Sequence, residues 1–172
     1  MTDPDLQLAL GGLSRDALRE ALAGEGVALN SYAEMLLQHS EFDDRTEQTV
    51  RVTRCSVAEL GRPDGGTLPQ IHAAAAAAGL RPCPLRTGPF LRLALMGQEQ
   101  APDAVLSAGR APTGALHVLS APLSEDHEVP KGFYLRVVDG TVWLRGYRCD
   151  DEYVMPPESQ LVLRVPEAGE GS

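Results

Sequence analysis

Alternation of apolar and polar residues is clearest in the stretch 133–147. Two β-rich runs flank Asp139-Gly140, a dipeptide typical of a two-residue type I′ turn. Such a turn sets the strand register, because Val138 must then pair with Thr141 and each residue farther out pairs in step. The sequence therefore predicts a β-hairpin with two distinct faces.

The two faces of this hairpin differ in composition. The apolar face, which we expect to lie in the core, consists of Leu135, Val137, Val142 and Leu144. The opposite face consists of Tyr134, Arg136, Trp143 and Arg145. In the predicted register Tyr134 pairs with Arg145, and Arg136 pairs with Trp143. Arginine over an aromatic ring contributes about 0.5–1 kcal/mol at an exposed site. The second face is therefore a candidate binding surface.

Helical spacing dominates the first third of the chain. Ser14 is a candidate N-cap for a helix over 15–23, and Asn30 or Ser31 begins a second helix. We expect these two helices to form a hairpin that packs on the rest of the protein. Residues 1–13 before them are predicted to be a flexible N-terminus.

The remaining segments predict mostly strands around one further helix. Thr67 is a candidate N-cap for an alanine-rich helix that ends at Gly79. Strands are predicted over 49–55, 90–96, 116–119 and 161–165, with a long loop or short edge strands over 97–114. The prediction is a single α+β domain over 14–165, with a mostly antiparallel sheet of about five strands. A disordered tail is expected over 166–172.

Composition and charge narrow the classes of partner. The chain has 172 residues, of which 43% are apolar, and this suits one domain with its own core. The net charge of −9 disfavours nucleic acid and anionic membranes as partners, unless the arginines gather on one face. Lys131 is the one lysine among 15 basic residues, a bias typical of a GC-rich bacterial genome.

The start of the chain predicts a cytoplasmic location. Residues 1–10 are acidic and have no long apolar core, unlike a signal peptide. No stretch approaches the roughly 20 apolar residues that a membrane span needs. The three cysteines are therefore expected to be thiols, and no membrane partner is expected.

The block GLRPCPLRTGPFLRLAL, residues 79–95, resembles the core of a small bacterial protein family with the pattern GLxxCPxxxGPxLRL. The similarity extends to VAEL at 57–60, LNSYAEMLL at 29–37, VWLRG at 142–146 and QLVLR at 160–164, but not to the acidic loop after Pro122 or the region near Cys149. The resemblance implies one domain and no particular chemistry. Some members of that family are labelled helicases, yet this sequence has no GxxxxGK[ST] phosphate loop and is too short for two motor domains.

Candidate chemistry elsewhere in the sequence is weak. A cysteine nucleophile needs a thiol of lowered pKa beside a histidine that acts as base. The candidates are Cys55, Cys83 and Cys149, with His72, His117 and His127 as possible partners. Cys83 follows a helix and Cys149 precedes two aspartates, and neither setting lowers the pKa of a thiol, so small buried or unreactive thiols are predicted. The acidic run at 124–128 has no metal-ligand spacing, so a solvated loop is predicted there. The glycine-rich stretch at 61–66 precedes a helix but contains no lysine, which favours an ordinary turn. No catalytic residue, metal or cofactor is predicted.

The leading hypothesis is an interaction module that binds a partner protein, or itself, without catalysis. Its predicted binding residues lie on or near the hairpin and are Tyr134, Arg136, Trp143, Arg145, Arg92 and Tyr147, with Arg86 as a further candidate. A regulator that binds a nucleotide or single-stranded nucleic acid through the same arginines is the first alternative. A cysteine-dependent enzyme is the second. The plainest alternative is a sheet face covered by the N-terminal helices.

Overall fold

A computed structural model of the chain describes residues 5–96 and 115–167. The strands of this part are β1 Leu6–Leu10, β2 Ala28–Leu29, β3 Gln48–Ser56, β4 Leu116–Val118, β5 Gly132–Val138, β6 Thr141–Tyr147 and β7 Gln160–Val165. Its α-helices are α1 Arg15–Gly24, α2 Ser31–Leu37, α3 Leu68–Ala77 and α4 Thr87–Ala94. Short 3₁₀ helices occupy Ser40–Asp43 and Ala58–Leu60. None of these helices has the length and apolar character to cross a membrane.

All seven strands join one mixed sheet in the order β1-β3-β7-β4-β5-β6-β2. The pairs β4–β7 and β2–β6 are parallel, and the other neighbours are antiparallel. The predicted α+β class is confirmed, but the prediction of about five mostly antiparallel strands is wrong. Helix α4 contacts β1 near one edge of the sheet and β5 and β6 near the other, so the sheet curls around α4.

Two strands account for part of this difference. Leu6–Leu10 forms β1, which pairs with β3 along its whole length, where the sequence analysis expected a flexible N-terminus. Strand β2 lies between α1 and α2 and pairs with β6. The two helices do not form the simple hairpin that the sequence predicts, because β2 lies between them and α1 packs mainly on α4 whereas α2 packs mainly on β6. An ion pair between Arg19 and Glu34 still joins α1 to α2.

Residues 90–96, predicted as a strand, belong mostly to α4. Leu91, Leu93 and Leu95 alternate, but Leu91 and Leu95 are also one helical turn apart, so the pattern suits either element. Pro89 lies in the first turn of α4, where a helix tolerates proline. Gly88 brings this turn against Phe133, since a Cβ atom on Gly88 would lie 2.6 Å from the Phe133 ring.

The segment between α3 and α4 crosses the sheet beside β7. Arg81 bridges to Arg164 of β7, and Cys83 bridges to Ser120 just after β4. Both Arg81 and Cys83 precede prolines, which favour extended backbone at the preceding residue. The CP…GP block thus carries the chain from one side of the sheet to the other and then turns it into α4.

Separate apolar cores lie on the two sides of the sheet. The larger core joins α1, α2 and α4 to β-strand residues such as Leu135 and Leu144, which are buried as the hairpin pattern predicts. The smaller core places α3 over Cys55, Leu161 and other residues of β3 and β7. The predicted helix starts are confirmed at Ser14 and Thr67, and of the two candidates for the second helix the structure selects Asn30.

The predicted loop over 97–114 lies outside the described residues. So does most of the predicted tail, because the description ends at residue 167. At the N-terminal side, residues 1–4 are likewise outside it.

Candidate functional site

The predicted hairpin is present with the predicted register. Asp139 and Gly140 both have positive φ, at 50° and 80°, as a type I′ turn requires. Strands β5 and β6 pair Tyr134 with Arg145 and Arg136 with Trp143. These four side chains, hereafter the hairpin face, point to one side of the sheet and are all half-buried.

The hairpin face lies beside the smaller core but is not covered by it. The strand pairings place Tyr134, His117 and Leu161 on the same side of the sheet. Helix α3 packs against Leu161 on that side, over the middle of the sheet, and none of the four hairpin-face residues belongs to that core. The helices α1, α2 and α4 belong to the core on the opposite side. Within residues 5–96 and 115–167, no helix therefore packs over the hairpin face, which lies next to a covered surface.

Contacts within the hairpin face hold the Arg145 side chain in place. The guanidinium carbon of Arg145 lies 4.1 Å from the centroid of the Trp143 ring. Arg145 Nη1 also donates a long hydrogen bond of 3.5 Å to the Tyr134 hydroxyl. The Nε atoms of Arg136 and Arg145 are buried and have no hydrogen-bond partner. The face therefore holds two positively charged groups whose hydrogen-bonding capacity is largely unused.

Tyr147 belongs to an aromatic cluster at the inner end of this surface. The His117 ring stacks on Tyr134 at 5.2 Å and meets Tyr147 edge-on at 5.3 Å. Burial, and to a smaller degree the neighbouring Cys149 thiol, raise the pKa of Tyr147. Tyr147 packs against the core beneath α3. It therefore supports the hairpin face and is not one of its open side chains.

Arg92 is not part of the hairpin face. It lies on α4, is 1% exposed, and donates from Nη1 to the Trp143 carbonyl at 3.4 Å and from Nη2 to the Leu95 carbonyl at 3.1 Å. Burial lowers the pKa of its guanidinium to about 10. The expectation that Arg92 shares a sheet face with Arg136 is wrong, because the segment that carries Arg92 is a helix packed on the other side.

Arg86 is likewise buried, at 4% exposure. Its Nη1 donates to the carbonyls of Asp44 and Thr46 at 3.0 and 2.9 Å, and its Nη2 donates to Gln48 Oε1 at 2.6 Å. This arginine ties the start of α4 to the chain that enters β3. It has a structural role and leaves two arginines, Arg136 and Arg145, on the hairpin face.

The cysteines lack the setting of a nucleophile. Burial raises the pKa of Cys55 to about 11 and that of Cys83 to about 12. Burial and the nearby Asp150 carboxylate also raise the pKa of Cys149. Because the thiolate is the reactive form, all three are poorly reactive at neutral pH. Within residues 5–96 and 115–167, no cluster of side chains is suited to hold a metal ion.

His117, a candidate partner for a cysteine in the sequence, supports Tyr134 in the structure by stacking on its ring. Its Nδ1 atom is buried without a hydrogen-bond partner. Burial lowers the pKa of His117 to about 4, and a hydrogen bond with the Gln160 backbone opposes this in part. The available signal was the position of His117 in the alternating run LHV, which turns it to the same side as Tyr134 once β4 pairs with β5.

Acid is expected to destabilise the fold through His117. The folded protein keeps the imidazole neutral down to a pKa of about 4, whereas the unfolded chain binds the proton near the ordinary value of 6.5. The stabilising effect is therefore complete above pH 6.5 and is lost as the pH falls toward 4, by a total of the order of 3 kcal/mol. Urea unfolding of the wild type and of His117→Phe over this range measures the difference.

The free energy of unfolding of His117→Phe should not show this loss as the pH falls. His127→Gln, in an exposed loop, should show the same loss as the wild type. Parallel profiles for the wild type and His117→Phe would contradict the assignment.

Comparison of this chain with models of protein families, with curated protein sequences and with solved structures finds no match. The resemblance of residues 79–95 to a bacterial family therefore stays a prediction. In this structure the block serves as the sheet crossing and the start of α4.

Proposed function

We propose that this protein is a non-enzymatic interaction module that binds a partner protein, or a second copy of itself, through the hairpin face. One observation carries the proposal: a tryptophan, a tyrosine and two arginines lie in register on a half-buried surface that α3 leaves open. These residue types are the ones enriched at the energetic centres of protein interfaces. The Arg145–Trp143 stack holds two of them in place before binding.

The nucleic-acid alternative has less support. A site for single-stranded nucleic acid combines aromatic rings with a basic groove that follows the backbone. Arg86 and Arg92 are buried, and Lys131 is 3% exposed and donates to the Ser124 carbonyl at 2.8 Å. The hairpin face retains two cations, Arg136 and Arg145, which do not form a groove long enough to follow a nucleic-acid backbone. The raised pKa values of the buried thiols likewise give the cysteine-enzyme alternative no support.

Photo-crosslinking in cells tests the proposed interface. A benzoylphenylalanine at position 141, an exposed residue at the end of the hairpin on the side of Trp143, is expected to capture a protein. The same probe at position 20, exposed on α1 on the other side of the sheet, is the matched control. Adding Trp143→Ala should remove the adduct at position 141. Equal adducts at both positions, or an adduct that survives Trp143→Ala, would argue against this interface.

A further inference from the structure

We propose that the partner of the hairpin face is an extended acidic peptide segment with two carboxylates separated by one residue. This inference rests on the proposed function and specifies the chemistry of the partner. It concerns Arg136 and Arg145, the two cations of the face.

The first observation is the unused bonding capacity of these arginines. Among the described residues, Arg136 forms no hydrogen bond or ion pair, and Arg145 forms its contacts with Trp143 and the Tyr134 hydroxyl. A half-buried guanidinium has lost part of its hydration, and without an anion beside it no interaction of similar strength replaces that hydration. Carboxylates match the fork of donors on arginine and form its strongest hydrogen bonds. A carboxylate is therefore the group best suited to accept hydrogen bonds from each arginine and to neutralise its charge.

The second observation is the spacing of the two arginines. Arg136 pairs with Trp143, and Arg145 lies two residues beyond Trp143 on the same strand, so the arginines are diagonal neighbours. Such neighbours are about 7–8 Å apart in an antiparallel pair. In an extended peptide, residues i and i+2 point to the same side and are about 6.6–6.8 Å apart. One extended segment can therefore present a carboxylate to each arginine, with Trp143 and Tyr134 on the two sides of the line that joins them.

The acidic loops of this protein are poorly suited to this role in a second copy. Asp126 Oδ1 accepts a hydrogen bond of 2.9 Å from the Glu128 N–H, and Asp150 Oδ1 accepts bonds of 2.9 and 2.7 Å from the N–H groups of Glu152 and Tyr153. These bonds fold both loops into turns. In a turn, the carboxylates of residues i and i+2 do not point to the same side, as they do in an extended segment. These two loops of a second copy are therefore excluded as the segment that the hairpin face binds.

Intrinsic fluorescence tests this inference directly, because Trp143 is the sole tryptophan. The probe is a blocked peptide of seven residues with two glutamates separated by one threonine, titrated in about 0.1 M salt, where charges beyond roughly 10 Å are screened. Saturable change in Trp143 emission is expected. A peptide with glutamines instead, or with adjacent glutamates, should bind at least about tenfold more weakly, the equivalent of about 1.4 kcal/mol.

Variants of the protein complete the test. Arg136→Gln and Arg145→Gln should each weaken binding of the acidic peptide at least about tenfold, since each removes one charge-assisted contact. Arg51→Gln, at an exposed position of β3, is the matched control and should bind like the wild type.

Three results would overturn the inference: no emission change at millimolar peptide, equal binding of the glutamine peptide, or tighter binding of oligothymidylate than of the acidic peptide. Crosslinking at position 141 separates this from the proposed function. If the acidic peptide fails to bind but the adduct at position 141 forms and depends on Trp143, the interface is upheld and the acidic partner is rejected. If the peptide fails to bind and no such adduct forms, both proposals are rejected.

Discussion

The Arg86→Ala variant is expected to lose about 3–5 kcal/mol of the free energy of unfolding, because it removes three hydrogen bonds made by a charged guanidinium that is 4% exposed. In the folded protein the guanidinium serves the carbonyls of Asp44 and Thr46 and the side-chain oxygen of Gln48. Its removal also leaves a cavity at the junction of α4 and the entry to β3. A domain of this size has about 5–15 kcal/mol of stability, so urea unfolding should reveal a large shift in midpoint.

Two further variants give this prediction its controls. Arg86→Lys keeps the charge but replaces the planar fork by a single ammonium group, so we expect it to recover less than half of the loss. Arg19→Ala removes a partly exposed ion pair with Glu34 and should cost no more than about 1 kcal/mol. If Arg86→Ala were no more destabilising than Arg19→Ala, the buried network would not have the stabilising role inferred here.

The Gly146→Ala variant is expected to lose about 2–4 kcal/mol, because α2 begins directly on this residue. A Cβ atom at position 146 would lie 2.7 Å from the Tyr32 carbonyl carbon and 2.8 Å from the Ala33 nitrogen, both of which are backbone atoms. Asn30 ties the start of α2 to β6 by hydrogen bonds. Its Nδ2 donates to the Gly146 carbonyl, and its Oδ1 accepts from the N–H groups of Gly146 and Ala33. The start of α2 cannot move away without breaking these bonds.

Gly24→Ala is the matched control for this substitution. A Cβ atom at position 24 meets nothing within 4 Å, and the residue ends helix α1. Alanine there should be neutral or stabilising by up to about 1 kcal/mol. Similar midpoints of thermal or urea unfolding for Gly146→Ala and Gly24→Ala would contradict the close approach of α2 to β6.

The hairpin could be predicted in full because its determinants are local. Asp139 and Gly140 adopt the positive φ values that the turn needs, and the period-two pattern then assigns every side chain to a face. Ser14 and Thr67 likewise cap the helices that follow them through their own side chains. In each case the residues that form the structure lie within a few positions of one another.

Prediction failed where the stabilising contacts are distant in sequence. Strand β2 has two residues and exists because Ala28 and Leu29 pair with Trp143 and Leu144. The apolar residues of α4 alternate, and the first turn of this helix packs through Gly88 against Phe133, a residue far away in the sequence. Strand β1 is a different case, since Leu6, Leu8 and Leu10 alternate and could have been recognised as a strand from the sequence.

In the candidate site, too, the local positions could be predicted from the sequence and the tertiary contacts could not. The positions of Tyr134, Arg136, Trp143 and Arg145 relative to one another follow from the turn alone. Whether Arg86 and Arg92 join them depends on the side of the sheet on which α4 packs, and this is a tertiary contact. His117 enters the site through the pairing of β4 with β5, which brings together residues far apart in the chain.

The central claim is that the hairpin face binds a protein, and native mass spectrometry of the tagged chain, gently purified from its own host, tests it most directly. The wild type is compared with the double variant Arg136→Ala/Trp143→Ala, whose fold is verified by circular dichroism. The account predicts added mass from a second protein, or a multiple of the chain, in the wild type and the bare monomer in the variant. A bare monomer in both samples, or the same complex in both, would contradict it.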